Sequence, residues 1–388
     1  IVCATIKAGV DPTTSATVLQ AVEDFLNPPT PAPTPLNNAK AITAFDFKAL
    51  DPDVVGEINE GAKTIALTVP FGTDITALVP TIVNTGVSIF PASGAAQNFT
   101  LPVDYTVTAE DISTQAYLVT VTEAVTIINI AEISGVTAPV KGVTPVNSIT
   151  AKAQYTGTVT WIPADDPFRP GIVYIATITL TAEAGFTLNG VAANFFTVEG
   201  ATIVANTADS GVITVIFPET EVAVGDSYGG GIVAYILQDN GDDDDDPGYV
   251  TGQTHGLIAA TADQSEGIVW AIVAFQQAAV SEGTLLTIGS GSANTDNIIA
   301  QNGAGKTYAA GLARAYNGGG YNDWFLPSKD ELAKLWIKRV EIGSFTVGYY
   351  WSSSEDNAND AWYQHFGSGD QNHDPKGTAF RVRAVRAF

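Results

Sequence analysis

The chain has 388 residues, with 41 acidic against 17 basic side chains and a formal charge of −24. This acid excess argues against nucleic acid and anionic membrane as main partners, since both need a basic footprint. Charged residues make up 15% of the chain and hydrophobic ones 45%, so it can bury real cores and is no disordered acidic tail.

No apolar run reaches the roughly 18 residues that a membrane helix needs, so no membrane insertion is expected. The single cysteine, Cys3, rules out an internal disulfide and a cysteine-based zinc cluster. The chain has no methionine. With abundant Thr, Val, Ala and Gly, this fits an exported bacterial surface protein whose signal peptide has been removed.

Residues 1–38 read as a strand over Ile1–Val10, then a helix, then a proline-rich linker. Asp11-Pro12 followed by Thr13, Thr14 and Ser15 is a good helix start, and Leu19, Val22 and Leu26 fall on one helical face. Asn27-Pro28-Pro29 stops the helix, and PPTPAPTP over Pro28–Pro35 predicts an extended polyproline spacer.

Residues 39–124 alternate apolar and polar positions. Phe45/Phe47, Ile65/Leu67/Val69, Val103/Tyr105/Val107 and Tyr117/Val119/Val121 each have period two, with turn signals between them. Such short strands predict an all-β immunoglobulin-like sandwich. Residues 125–221 repeat the pattern through Val159/Trp161, Tyr174/Ala176/Ile178/Leu180 and Val212/Thr214/Ile216. They predict a second sandwich. Both segments resemble the Thr- and Val-rich immunoglobulin-like modules of bacterial surface proteins.

Residues 222–388 change character. They hold Trp270, Trp324, Trp336, Trp351 and Trp362, all three histidines, and 10 of the 17 basic residues. Indole and guanidinium groups are the usual material of recognition surfaces, so specific binding is expected here. Strands are predicted at Ile232–Leu237, His255–Ala260, Gly348–Ser353, Ala361–Phe366 and Ala379–Val385. Helices are predicted at Asn294–Gln301 and Thr307–Tyr316. A further helix opens at Ser328, with Glu331 three residues on as a capping box, and Leu332, Leu335, Trp336 and Val340 on one face. The domain is expected to be α+β with long loops.

Several candidate sites follow. The run Asp242–Asp246 (Asp242, Asp243, Asp244, Asp245, Asp246) offers oxygen ligands for calcium, but it lacks the spacing of an EF-hand loop. Its bland alternative is a solvated loop insertion. Trp324 and Trp362 are candidates for stacking on sugar rings, with Asn322, Asp323, Glu355 and Asn357 to accept hydroxyl hydrogen bonds; core packing is the alternative for both. Arg381, Arg383 and Arg386 form a basic strip unless they pair with carboxylates such as Glu355 or Asp330. Asn302–Thr307 looks like the end of a phosphate-binding loop, but Ala300 stands where that motif needs glycine. No nucleophile elbow and no histidine pair at helical spacing occurs, so no catalytic residue is assigned and no enzyme is expected.

A family resemblance rests on YNDWFLPSKDEL, YYWSSSE, AWYQHFGSG and FRVRAVRAF, with GGGIVAYI and HGLIAATADQ before them. Over about residues 225–388 these resemble the C-terminal domain of collagen-like bacterial adhesins. WFLPSKDEL is more distantly similar to the helix start of formylglycine-generating and C-type-lectin-like domains. The resemblance implies a C-type-lectin-like head that binds glycans or another cell surface, without catalysis. This domain is itself net negative, which argues against a sulfated glycan.

The expectation is an extracellular structural and adhesive protein that partners with itself. It would be a surface-fibre subunit displaying the lectin-like domain, its N-terminal strand (Ile1, Val2, Ile6, Val10) adding to a sheet edge of the next copy. The alternative is a non-polymerising stalked adhesin.

Overall fold

A computed structural model describes residues 12–28, 34–238 and 246–388. The expected strand with Ile1, Val2, Ile6 and Val10, and also Cys3, lies outside the described residues, as do Asp242, Asp243, Asp244, Asp245 and residues 29–33 of the proline stretch. The chain divides into two compact units, Ile1–Thr126 and Ile127–Phe388. Strand dominates both.

In the first unit the expected helix runs over Pro12–Leu26. Its Leu19, Val22 and Leu26 face is exposed, as is Phe25. Two sheets follow. One is three-stranded, in the order Val54–Val55, Ile42–Phe47, Thr81–Asn84. The other is five-stranded, in the order Glu57–Asn59, Thr64–Val69, Thr114–Glu123, Val103–Thr108, Ser88–Phe90. Thr64–Val69 and Thr114–Glu123 run parallel, and the other pairs in that sheet run antiparallel.

Alternation decides what faces inward. Phe45, Phe47, Ile65, Leu67, Val69, Tyr105, Val107, Tyr117, Val119 and Val121 are all buried and share one core with Phe99. Phe45 meets Tyr105 edge-on with ring centroids 5.0 Å apart. The core thus lies between the sheets, as the period-two pattern predicts.

The second unit holds separate cores. The first is built on a four-stranded antiparallel sheet, in the order Tyr155–Ile162, Val173–Ala182, Val212–Glu219, Ile203–Asn206. The facing layer contains only short pieces, among them the parallel pair Glu132–Ile133 and Thr197–Val198. Pro139 and Pro145, with Gly135 and Gly142 at positive φ, interrupt that stretch, and proline cannot donate to a ladder. The second sandwich is therefore lopsided. The phase of Val212–Glu219 also differs from expectation. Ile213, Val215 and Phe217 are buried, whereas Val212 is exposed. Both phases of this strand are largely apolar, so alternation alone does not fix which face turns inward.

Residues beyond 226 form two further sheets with helices. A four-stranded antiparallel sheet has the order Ser227–Tyr228, Gly231–Ile236, Gly256–Ala259, Val385–Ala387. A five-stranded sheet has the order Ser265–Val269, Ala379–Val382, Tyr349–Glu355, Asp360–His365, Gln371–Pro375. Helices span Gly291–Asn302, Ala309–Arg314, Lys329–Ile337 and Arg339–Ile342.

The capping box forms as expected: Ser328 Oγ accepts from the Glu331 N–H at 3.3 Å, and Glu331 Oε2 accepts from the Ser328 N–H at 2.7 Å. The helix stops at Ile337, because Lys338 leaves helical geometry. Val340 sits on a separate short turn and is exposed, so it does not extend the Leu332–Leu335 face. Trp270, Trp324, Leu326, Trp351 and Phe380 share one core.

Candidate ligand-binding surface of the C-terminal domain

Several expected ligand contacts turn out to be structural. Trp324 has no exposed surface; its Nε1 donates to the Gly318 carbonyl at 3.2 Å, and its ring meets Tyr316 at 4.9 Å. It cannot stack on a sugar. The next residue explains why: Phe325 exchanges both backbone hydrogen bonds with Val385, at 2.7 and 2.9 Å, which pins this segment to the terminal strand.

The basic strip does not form. Arg383 is wholly buried and donates to Asp263 Oδ1 at 2.8 Å, the Ala260 carbonyl at 2.9 Å and the Ser344 carbonyl at 2.5 Å. Arg381 also pairs with Asp263, at 3.4 Å, and Arg386 pairs with Asp323 at 2.9 Å. The arginines do meet carboxylates, but these are Asp263 and Asp323, not Glu355 or Asp330. Hydrogen bonding from Arg386 holds the Asp323 carboxyl below its usual range. Glu355 is spent on Lys376, at 2.5 Å, and on the Val280 N–H, at 2.9 Å. Asn322 is exposed.

The described end of the aspartate run is also committed. Asp246 is buried and accepts from the Tyr235 hydroxyl at 2.6 Å and the Gln238 N–H at 2.9 Å. Burial, then this bond, pushes the Tyr235 phenol well above its ordinary range.

What the fold brings together is the hairpin Asp360–His365/Gln371–Pro375, whose second strand is an edge of the five-stranded sheet. Its register sets Trp362 opposite His373 and Tyr363 opposite Asn372. Side chains alternate across a strand, so the hairpin presents two distinct faces.

One face carries Asp360, Trp362 and His373, with the turn residues Asp356 and Asn357 beside them. Asn357 Nδ2 donates to Asp356 Oδ2 at 2.8 Å and to Asp360 Oδ2 at 3.0 Å. His373 Nδ1 lies 3.8 Å from Asp356 Oδ2 and 3.6 Å from Asp360 Oδ2. The Trp362 ring is partly exposed, with Lys329 Nζ 3.8 Å from its centroid and the His373 ring edge-on at 5.7 Å.

The opposite face carries an aromatic platform. Tyr349 is 45% exposed. It stacks on Phe380 at 5.0 Å, lies 4.7 Å from the His365 ring and meets Tyr363 edge-on at 5.2 Å. Trp351, two residues along the same strand, is buried against Phe380 at 4.5 Å. Burial pushes the Tyr363 phenol up.

The sequence reading missed Tyr349, and it set His365 and His373 aside because they lack helical spacing. The signal for Tyr349 was present in YYWSSSE, where a spacing of two puts Tyr349 on the face of Trp351. His373 sits in QNHDP, which carries no apolar alternation to mark a strand.

Two family models match this chain. The SGBP N-terminal model matches residues 42–121, and the Lcl C-terminal domain model matches residues 259–386. Both are families of bacterial surface, adhesin-like proteins. This chain is a bacterial surface-associated protein. The resemblance read from the sequence holds at that level.

Three solved structures are similar over parts of their length. The first, from Bacteroides thetaiotaomicron and assigned to the glycoside hydrolases, shares 21% identity over 39% of this chain and 47% of its own, with a TM-score of 0.20. The chain thus spans about half of that structure. A fimbrial protein from Bacteroides ovatus shares 11% identity over 73% of this chain and 76% of its own, with a TM-score of 0.26. A DUF4623-family protein from Bacteroides eggerthii shares 11% identity over 89% and 98%, with a TM-score of 0.20. No curated protein sequence matches the chain. Among the described residues, no helix is long and apolar enough to cross a membrane.

Proposed function

We propose that this surface protein is an extracellular adhesin whose C-terminal domain binds carbohydrate of neutral charge. The observation that carries the reading is Tyr349: an aromatic ring with nearly half its surface open, held in place by Phe380 and His365. A rigid, supported ring buries the apolar face of a pyranose at little entropic cost. Trp362, partly exposed on the other face of the hairpin, is a separate aromatic contact; Asn357 beside it is committed to Asp356 and Asp360 and offers no free carboxamide. The arginines of the terminal strand are bound to carboxylates, so a sulfated chain finds no free cationic strip there.

The test is a glycan array probed with the full chain, followed by affinity measurements on Tyr349→Ala and Trp362→Ala. Tyr349→Ala should weaken the best neutral ligand at least tenfold while circular dichroism stays unchanged. Unaltered affinity, or binding confined to sulfated glycans, overturns the reading.

Self-assembly into a fibre is a second reading. It is favoured by the helix Pro12–Leu26, which exposes Val18, Leu19, Val22, Phe25 and Leu26 directly after the candidate strand with Ile1, Val2, Ile6 and Val10. Electron microscopy of the intact chain should then show filaments that a deletion of residues 1–26 abolishes. Filaments that survive the deletion exclude this segment.

A further inference from the structure

We propose that Asp356, Asp360 and His373 form a binding site for a divalent transition metal, with zinc as the representative ion. The three side chains offer one imidazole nitrogen and two carboxylate oxygens, all within 4.8 Å of one another. The spacing can be checked against coordination geometry. Ligand bonds of 2.0–2.2 Å arranged tetrahedrally place neighbouring donors about 3.4 Å apart. His373 Nδ1 stands 3.6 Å from Asp360 Oδ2 and 3.8 Å from Asp356 Oδ2. For both of these pairs, shifts of a few tenths of an ångström reach that spacing.

Two of the donors, Asp360 and His373, are mounted on paired strands, and Asp356 lies in the tight turn that joins Tyr349–Glu355 to Asp360–His365. Trp362 pairs directly with His373 across the hairpin, and Asp360 lies two residues from Trp362 on the same face. Asp360 and His373 are therefore diagonal cross-strand neighbours. Asp356 is held by its own N–H, which donates to the Asp360 carbonyl at 3.0 Å. Asn357 acts as the orienting group. Its Oδ1 accepts from the N–H of Asn359 and of Asp360, at 2.8 and 3.1 Å, while its Nδ2 draws both Oδ2 atoms toward one point. An orienting amide of this kind leaves each carboxylate oxygen a further lone pair for an ion. The Trp362 ring, edge-on to His373, limits how the imidazole can turn.

The donor set selects the class of metal. Calcium takes six to eight oxygen ligands, whereas an imidazole with two carboxylates suits zinc, nickel or cobalt. Asp356 and His373 are exposed, so three protein donors leave a fourth position facing solvent. Water, or a donor atom from a ligand, fills it. The proposal stands apart from carbohydrate binding at Tyr349, which lies on the other face of the hairpin.

The test uses the full chain with zinc alone as probe. In nitrogen-15 histidine spectra, zinc should shift the His373 ring resonances saturably and leave those of His255 and His365 in place. By calorimetry, His373→Ala and Asp360→Asn should each weaken zinc at least tenfold, and millimolar calcium should not compete. An unperturbed His373 ring at millimolar zinc overturns the proposal. So does wild-type affinity in both variants, which would put the ion elsewhere, for instance on Asp242–Asp246.

Discussion

Lys376 has no exposed surface, yet its ammonium is fully occupied. It donates to Glu355 Oε2 at 2.5 Å, the Ala278 carbonyl at 2.8 Å and the Ala358 carbonyl at 2.9 Å, and it lies 5.0 Å from the Trp270 ring centroid. Breaking a buried pair by removing one partner leaves an uncompensated charge. Lys376→Met should therefore lower unfolding stability by about 3–5 kcal/mol in urea titrations. Glu331 is a different case. It is buried under the Ser328 and Gly289 N–H groups, and its carboxyl is pushed up from 4.5 to about 7, mainly by burial and against the pull of those donors. Between these two values the folded state keeps a proton that the unfolded chain has released. Stability therefore falls as pH rises through that window and levels off above it. Melting temperatures measured from pH 4.5 to 8 should show this decline, and Glu331→Gln should flatten it. The capping role of Glu331 was legible in the sequence because it is local. The partners of Lys376 and Arg383 were not: Asp263 lies 120 residues from Arg383, and no spacing rule connects them.

The hairpin over Asp360–His365 and Gln371–Pro375 shows how elements differ in legibility. Its first strand was readable from AWYQHF. Its second has one apolar residue in five, Pro375, because it is an edge strand with mostly polar contacts. Strands buried in a core announce themselves: Tyr174, Ala176, Ile178 and Leu180 were read from alternation and are all buried. Ile178 has no exposed surface, so Ile178→Ala should cost about 2–5 kcal/mol, read from denaturant midpoints. The helix Lys329–Ile337 depends more on its start than on its length. Ser328 Oγ accepts from the Glu331 N–H and itself donates to the Thr287 carbonyl at 2.8 Å. Ser328→Ala should cost about 1–2 kcal/mol, because the buried Glu331 N–H loses its acceptor; the Thr287 carbonyl keeps its bond from the Ser290 hydroxyl. The spacing in YYW places Tyr349 on the face of Trp351 but does not reveal its exposure. The same YYW run supplies an exposed ring, a ring buried on the other face and a ring buried beneath the first, and sequence alone does not say where the strand leaves the core.

At the scale of the molecule, the units Ile1–Thr126 and Ile127–Phe388 each bury their own cores. Domains with separate cores usually unfold separately, so calorimetry should resolve more than one transition. A fragment of residues 34–126 should reproduce the one belonging to the first unit. Within the second unit the two sub-structures are tied together: Lys141 Nζ meets Asp226 Oδ2 at 2.6 Å, and Gly171, at φ 65°, leaves room for the Tyr228 ring. A side chain at Gly171 would collide with that ring and strain the backbone, which should lower the melting temperature in Gly171→Val. The four-part division read from composition follows the turn and proline signals; the tie across residues 141 and 226 leaves no such trace. The strand Thr114–Glu123, which carries the chain toward the end of the first unit, is paired along six residues on each side, parallel to Thr64–Val69 and antiparallel to Val103–Thr108. Tension transmitted along the polypeptide pulls this strand along its own axis. Both ladders are then loaded in shear, so their hydrogen bonds resist together instead of opening one by one. If the chain were pulled, as by flow at a cell surface, this strand would give the first unit a shear-loaded clamp.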